Sequence, residues 1–185
     1  MSCFDAAEWS NSMTDPTPAD SPEALARQYG RAVFKAAYRV LGDATLAEDV
    51  QQDVFLRLVE TRPSGVDSWP AYLTASAVRA AIDLLRRRQR WWRLMALWNA
   101  HEPTAAESAE QSGIDRERAQ RLRSALARLP RREAQCFGLR YLEGLDIGAI
   151  ARALALSENN VNVVLHRARK RLEAELSETA EEILS

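Results

Sequence analysis

Between Leu145 and Leu172 the chain reads LDIGAIARALALSENNVNVVLHRARKRL, and its apolar residues recur at helical spacing on both sides of a break. Ile147, Ile150, Ala151 and Leu154 form one stripe, and Val161, Leu165, Ala168 and Leu172 form another. Ser157 stands where an N-cap would open the second helix. The pattern predicts two short helices joined by a tight turn, a helix-turn-helix. At 100° per residue the inward stripe sends Asn159, Asn162, Val163, His166 and Lys170 outward, with Arg167, Arg169 and Arg171 on the flanks. Two readings fit that outward row. A major groove would use it well, since Asn pairs with adenine, Val touches a thymine methyl and basic side chains meet phosphates. An ordinary solvated face would look much the same.

Upstream, the same periodicity predicts further helices and no strand. Ser21-Pro22-Glu23 supplies a cap, a first-turn proline and an acidic first turn. Leu25, Tyr29, Ala32, Ala36 and Val40 then hold one face until Gly42, a C′ glycine. Asp43 caps a helix whose stripe is Leu46, Val50, Val54 and Leu58, and whose opposite face carries Glu48, Asp49, Gln51, Gln52 and Asp53. A loop, TRPSGVDS, follows at 61–68. Pro70 opens a longer helix, to about Trp92, with Trp69, Leu73, Ala77, Ala80 and Leu84 on its apolar side and Trp91 at the end of that side. Past a small, acidic stretch at 99–113, one helix from Asp115 turns Leu122, Ala125, Leu126 and Leu129 inward and breaks at Pro130. Another spans Arg131 to Leu142, and the tail after Glu173 is expected to fray. The expectation is an all-α fold: a disordered tail at 1–20, a helical domain at 21–98, a flexible linker at 99–113, a second domain at 114–176 and an acidic tail at 177–185.

Charge changes this picture in one respect. A net charge of -1 over 185 residues argues against a polyanion partner only if the charge is evenly spread. It is not: residues 1–60 are predominantly acidic, whereas Arg79, Arg86, Arg87, Arg88, Arg90 and Arg93 face only Asp83 in 79–93, and 116–140 is again arginine-rich. Local patches set the footprint on a nucleic acid. Trp91, Trp92 and Trp98 beside these arginines could stack on unpaired bases, complete a core or dock on a partner. Cys3 and Cys136 have neither disulfide-framework nor zinc spacing, and Cys136 reads as a core residue. No Gly-rich phosphate loop or metal-ligand spacing is present, and His101 and His166 are the two imidazoles. The chain is therefore read as non-enzymatic, without catalytic residues, metal or cofactor. Lacking an apolar run long enough for a membrane span, and a basic-apolar leader, it is expected in the cytoplasm.

Three segments, LGDATLAEDVQQDVFLRL, WPAYLTASAVRAAIDLLRRR and LARLPRREAQCFGLRYLEGLDIGAIARALALSENNVNVVLHRARKRL, in this order and spacing, resemble the extracytoplasmic-function (ECF) sigma factors of bacteria. The resemblance spans about Ala24 to Leu176. It implies an N-terminal domain, sigma region 2, that binds the β′ coiled coil of core RNA polymerase and opens the minus-10 element. It implies a C-terminal domain, region 4, that binds the β flap and reads the minus-35 element. Asp49, Gln52, Asp53, Phe55 and Leu56 would make the β′ contact. The loop from Glu60 to Trp69 would receive a flipped base, and Arg79, Asp83, Arg86, Arg87 and Arg90 would hold the opened minus-10 strand. Asn159, Asn160, Asn162, Val163, His166, Arg167 and Lys170 would read minus-35 DNA. An anti-sigma factor is the further partner implied, with Trp91, Trp92, Leu94, Met95 and Leu97 as a candidate docking surface or, equally, a surface packed on the first domain.

Two departures from the family pattern stand out. Arg79 replaces a usual asparagine that helps shape the minus-10 site. Asn162 and Val164 stand where a basic residue and an arginine are common, which suggests fewer phosphate contacts in the forward half of the last helix. The function expected is a dissociable, promoter-directing initiation subunit. The alternatives are a stand-alone helix-turn-helix transcriptional regulator, which would bind duplex DNA tightly without polymerase, and a purely helical interaction protein, whose partner binding would be salt-insensitive.

Overall fold

The computed structural model describes residues 21–98 and 113–184. Among them every regular element is helical: α1 (Pro22–Leu41), α2 (Ala44–Thr61), α3 (Trp69–Trp98), α4 (Gly113–Arg128), α5 (Arg131–Phe137), α6 (Ile147–Leu154) and α7 (Glu158–Leu184). The predicted tail at 1–20 and nearly all of the predicted linker at 99–113 lie outside the described residues. No described helix is long and apolar enough to cross a membrane.

Local chemistry sets most helix ends. The Ser21 hydroxyl accepts from Ala24 N at 3.2 Å and opens α1, Pro22 occupies the first turn, and Gly42 closes the helix at φ 66°, a backbone that costs glycine little. Asp43 accepts from Leu46 N at 3.1 Å and starts α2. α2 ends in the left-handed Arg62, φ 41°, and the Ser68 carbonyl receives Tyr72 N at 2.9 Å as α3 begins. In the first region α3 packs along α1, and α2 closes the third side.

Three details depart from the periodicity. In α1 the buried residues are Leu25, Gly30, Val33, Ala36, Ala37, Val40 and Leu41, while Ala32 faces outward; from Tyr29 the stripe steps by four to Val33, because the face must meet two helices. α3 runs to Trp98, six residues beyond the expected end, and its last turns leave Trp91 and Trp92 exposed at 52% and 43%. Trp91 therefore does not continue the apolar side. α7 continues to Leu184 instead of fraying after Glu173. Leu172 is buried, and Glu175 pairs with Arg128 of α4, so the acidic turns have an anchor.

The second region is built on α5. Its helix passes at Gly138 into a π-helical turn, Gly138–Leu142, which periodicity does not reveal. Cys136 is fully buried, which pushes its thiol up to about 11. Glu133 at the start of α5 meets Arg171 of α7 at 3.2 Å.

The two regions are not separate bodies on a string. Their buried side chains form one continuous cluster, from Leu25 and Val33 through Val78 and Ile82 to Leu139, Ile150 and Leu165. At the seam α3 and the α5 π turn approach so closely that a Cβ on Gly138 would lie 3.0 Å from Val78 Cγ1 and 3.2 Å from Ile82 Cδ1.

Candidate nucleic-acid interface

The helix-turn-helix is α6, a three-residue break and α7. Asp146 accepts from Ala149 N at 2.7 Å to open α6, and Ser157 accepts from Asn160 N at 3.2 Å to open α7. Between them Ala155 adopts φ 52°, and Leu156 N reaches back to Ala151 O at 2.9 Å, the six-to-one bond of a Schellman ending. Arg132 of α5 donates to Leu154 O at 3.0 Å, pinning the C-terminus of α6. Nothing in the periodicity marked Arg132 for this.

Ile150, Ala151, Leu154, Val161, Leu165, Ala168 and Leu172 are buried, as the two stripes predict. Asn159, Asn160, Asn162, Val163, His166, Arg167 and Lys170 are all exposed, so the predicted reading face is presented as one surface. Val164 is different. It is only 9% exposed and belongs to the core, so its lack of charge removes no phosphate contact; the reduced charge rests on Asn162.

In the first region α2 and α3 enclose a groove of about 690 Å³. Asp49, Gln52, Asp53 and Leu56 line it from α2, and Asp83, Arg86, Arg87 and Arg90 from α3. The residues assigned by resemblance to polymerase and to the minus-10 strand thus share a groove. Leu56 is 61% exposed at its edge, and Phe55, half-buried, packs toward the core. Arg79 lies outside this groove, in a smaller recess with Arg57, Thr61 and Tyr72.

Three of the five minus-10 candidates are engaged by the second region. Arg79 Nη1 donates to Ala153 O of α6 at 3.4 Å. Arg86 Nη1 donates to Ala127 O of α4 at 3.3 Å. Asp83 receives a two-pronged bond from Arg131 of α5, Nε to Oδ1 at 2.7 Å and Nη2 to Oδ2 at 2.5 Å. Burial, and then the nearby Arg90 charge, pull the Arg86 guanidinium below its ordinary value, whereas the Asp83 hydrogen bond raises Arg131. Periodicity could not have found Arg131, because its role depends on how two distant segments meet.

The fold therefore defines a class: a two-region helical protein carrying a helix-turn-helix and an arginine-lined groove. Two family models match, sigma-70 region 2 over residues 25–91 and sigma-70 region 4 over 119–172. The chain belongs to the ECF sigma factor family. It is 29% identical over 174 residues to the ECF RNA polymerase sigma factor SigE of Mycolicibacterium smegmatis, covering 91% of this chain and 66% of that protein. It is 26% identical over 159 residues to the probable ECF sigma factor SigI of Mycobacterium tuberculosis, covering 83% of this chain and 54% of SigI. The chain thus spans between half and two thirds of the length of these relatives. The sigma factor YlaC of Bacillus subtilis is 27% identical, with 88% of this chain and 96% of YlaC covered.

Two solved structures share the fold. CnrH, determined in complex with the cytosolic domain of CnrY, superposes with a TM-score of 0.55 at 22% identity, over 84% of this chain and 87% of that one. The sigma factor RpoE from Bartonella quintana, determined with the anti-sigma factor NepR, gives 0.54 at 19%, over 84% and 96%.

Proposed function

We propose that this protein is a dissociable initiation subunit that binds core RNA polymerase, directs it to particular promoters and helps open the DNA. The observation that carries the reading is the coexistence of two unlike nucleic-acid surfaces on one chain. The α7 row of Asn, Val, His and Lys suits duplex base edges. The α2–α3 groove, acidic on one wall and cationic on the other, suits a docking partner and a displaced strand.

In this division, residues 21–98 act as region 2 and 114–176 as region 4, with 99–113 between them and acidic ends at 1–20 and 177–185. Asp49, Gln52, Asp53, Phe55 and Leu56 meet the β′ coiled coil, and the second region meets the β flap. Extracting a base from the stack costs a few kcal/mol, which the Glu60–Trp69 loop and the cations of Arg79, Arg86, Arg87 and Arg90 offset once polymerase has docked. Asp83 takes part in this site by holding the arginines around it. Asn159, Asn160, Asn162, Val163 and His166 read minus-35 bases, while Arg167 and Lys170 meet phosphates.

An anti-sigma factor is the expected inhibitor. The exposed Trp91, Trp92 and Leu94 at the end of α3 offer it an apolar seat, with Met95 half-buried beside them; Leu97 lies where side chains are not described.

Run-off transcription decides the matter. Purified bacterial core enzyme plus this protein should yield discrete starts on a library of genomic fragments, and core enzyme alone should not. Absence of starts on every fragment would reject the reading.

A further inference from the structure

The last turns of α3 differ in chemistry from the rest of that helix. From Leu84 to Trp98 the chain reads LLRRRQRWWRLMALW, with Arg86, Arg87, Arg88, Arg90 and Arg93 and no carboxylate. Trp91, Trp92 and Leu94 are 52%, 43% and 58% exposed, and the two indoles meet edge to face with ring centroids 4.9 Å apart. At 100° per residue Trp91 and Trp92 continue the stripe that Leu73, Ala77 and Ala81 bury further back. Here the stripe has outrun the neighbours that cover it.

The cations keep a fixed register with this apolar tip. Each exposed apolar side chain has an arginine four residues before it, on the same side of the helix: Arg87 and Trp91, Arg88 and Trp92, Arg90 and Leu94. The guanidiniums therefore start one turn, about 6 Å, behind the apolar groups. Arg93 lies on the other side, with a stem long enough to reach back to the same level. Arg88 has Asp43 at 3.9 Å; among the described residues Arg87, Arg90 and Arg93 make no ion pair.

We infer that the end of α3 is a peripheral membrane anchor: the surface of an anionic phospholipid bilayer receives Trp91, Trp92 and Leu94, while the arginines one turn back bind headgroup phosphates. The helix is too charged to span a membrane, so it can only dip into the interface. An indole belongs at that depth, because its body is apolar and its N–H can still meet polar groups. A guanidinium forks onto phosphate in the same layer. Near an anionic surface each arginine strengthens partitioning about fivefold. Several arginines and a short apolar tip together give reversible attachment.

Other occupants fit less well. A second copy of this chain would set arginines against arginines. A single nucleic-acid strand would meet the cations and stack on the indoles but leave Leu94 without apolar cover. A protein inhibitor on the same seat would exclude the lipid, so the two are alternatives that experiment separates. The inference does not depend on the initiation-subunit reading and is tested without polymerase.

Sedimentation of the full chain with vesicles is the test. The protein should pellet with phosphatidylglycerol vesicles and remain in solution with phosphatidylcholine vesicles. Trp91→Ser/Trp92→Ser/Leu94→Ser should weaken binding to phosphatidylglycerol by at least about tenfold, and Arg93→Glu by about fivefold or more. All four side chains are exposed, so the variants should fold, which far-ultraviolet circular dichroism checks. Arg167→Ala/Lys170→Ala removes positive charge from α7 instead and should bind nearly as the wild type does. If the triple variant pellets like the wild type, or the α7 variant loses as much binding as the triple, the attraction is that of any basic patch and the inference is overturned.

Depth supplies a second readout. Phosphatidylglycerol brominated on its acyl chains should quench the tryptophan emission of the wild type. Trp91→Phe/Trp92→Phe should still pellet but lose much of that quenching; unchanged quenching would put other tryptophans at the bilayer and overturn the assignment. Loss of oligothymidylate binding in the triple serine variant, with vesicle binding intact, would give the tip to a nucleic-acid strand. No pelleting of the wild type with either lipid would leave it to a protein partner, and either result rejects the anchor.

Discussion

Asn162 and Val164 stand two residues apart on α7, and the chain treats them in opposite ways. Asn162 is exposed among the residues that face DNA in the proposed function, whereas Val164 is buried with Val161 and Leu165. Arginine at each position should therefore give different results. Asn162→Arg should add a phosphate contact and steepen the dependence of log affinity on log salt by about 0.9, with stability nearly unchanged. Val164→Arg should place a cation in the core without a partner and destabilise the protein by roughly 3 kcal/mol or more. Salt titration of nonspecific duplex binding by the full chain, together with urea unfolding, separates the two. Similar behaviour in both assays would mean that the face of α7 has been misassigned.

At the scale of elements, the helix-turn-helix depends on two caps, of which the sequence reading names only Ser157, and on a turn that it does not foresee. Asp146 and Ser157 each accept a backbone N–H three residues on, at 2.7 and 3.2 Å. Ser157→Ala should cost about 1 kcal/mol and Asp146→Ala a similar amount. Because the caps serve different helices, the double variant should lose about the sum; thermal unfolding of the three variants checks this, and a cost near zero would show that neighbouring contacts hold the ends unaided. Caps and stripes were legible because each depends on residues within one or two turns. Ser21, Gly42, Asp43 and Ser157 stand in their expected roles for that reason. The π turn at Gly138 was not legible, since glycine is there for the approach of Val78 and Ile82, about 60 residues earlier in the chain. Trp91 misled in the reverse way: the period continues past the end of the neighbour it would have packed on, so a core-like position finds no core.

At the scale of the whole molecule, the unforeseen feature is the seam between regions, and Glu143 gives it a dependence on pH. One carboxylate oxygen meets Arg39 at 2.9 Å, and the other is buried without a hydrogen-bond partner. Burial pushes the Glu143 carboxyl above its ordinary value of 4.5, against the opposing pull of the Arg39 hydrogen bond and charge. In an opened or unfolded chain the group returns toward 4.5, so the closed form binds the proton more tightly. Its contribution to closure is then full below 4.5 and is lost as the pH rises through the higher, closed-state value. Glu143→Gln keeps an oxygen for Arg39 and removes the titration. Closure of the variant should therefore gain on the wild type as the pH rises from 4.5 toward neutrality, with the difference levelling off above the closed-state value. Energy transfer between dyes on Glu48→Cys and Arg169→Cys, in a Cys3→Ser background with the buried Cys136 left unlabelled, measures it across that range. A difference that stays constant with pH would mean that Glu143 has the same proton affinity in both forms, and that the seam is wetter than its geometry indicates. A difference that grows would make the Arg39–Glu143 pair the pH-sensitive part of the seam and leave the Asp83–Arg131 pair, whose groups are more exposed, to respond to salt.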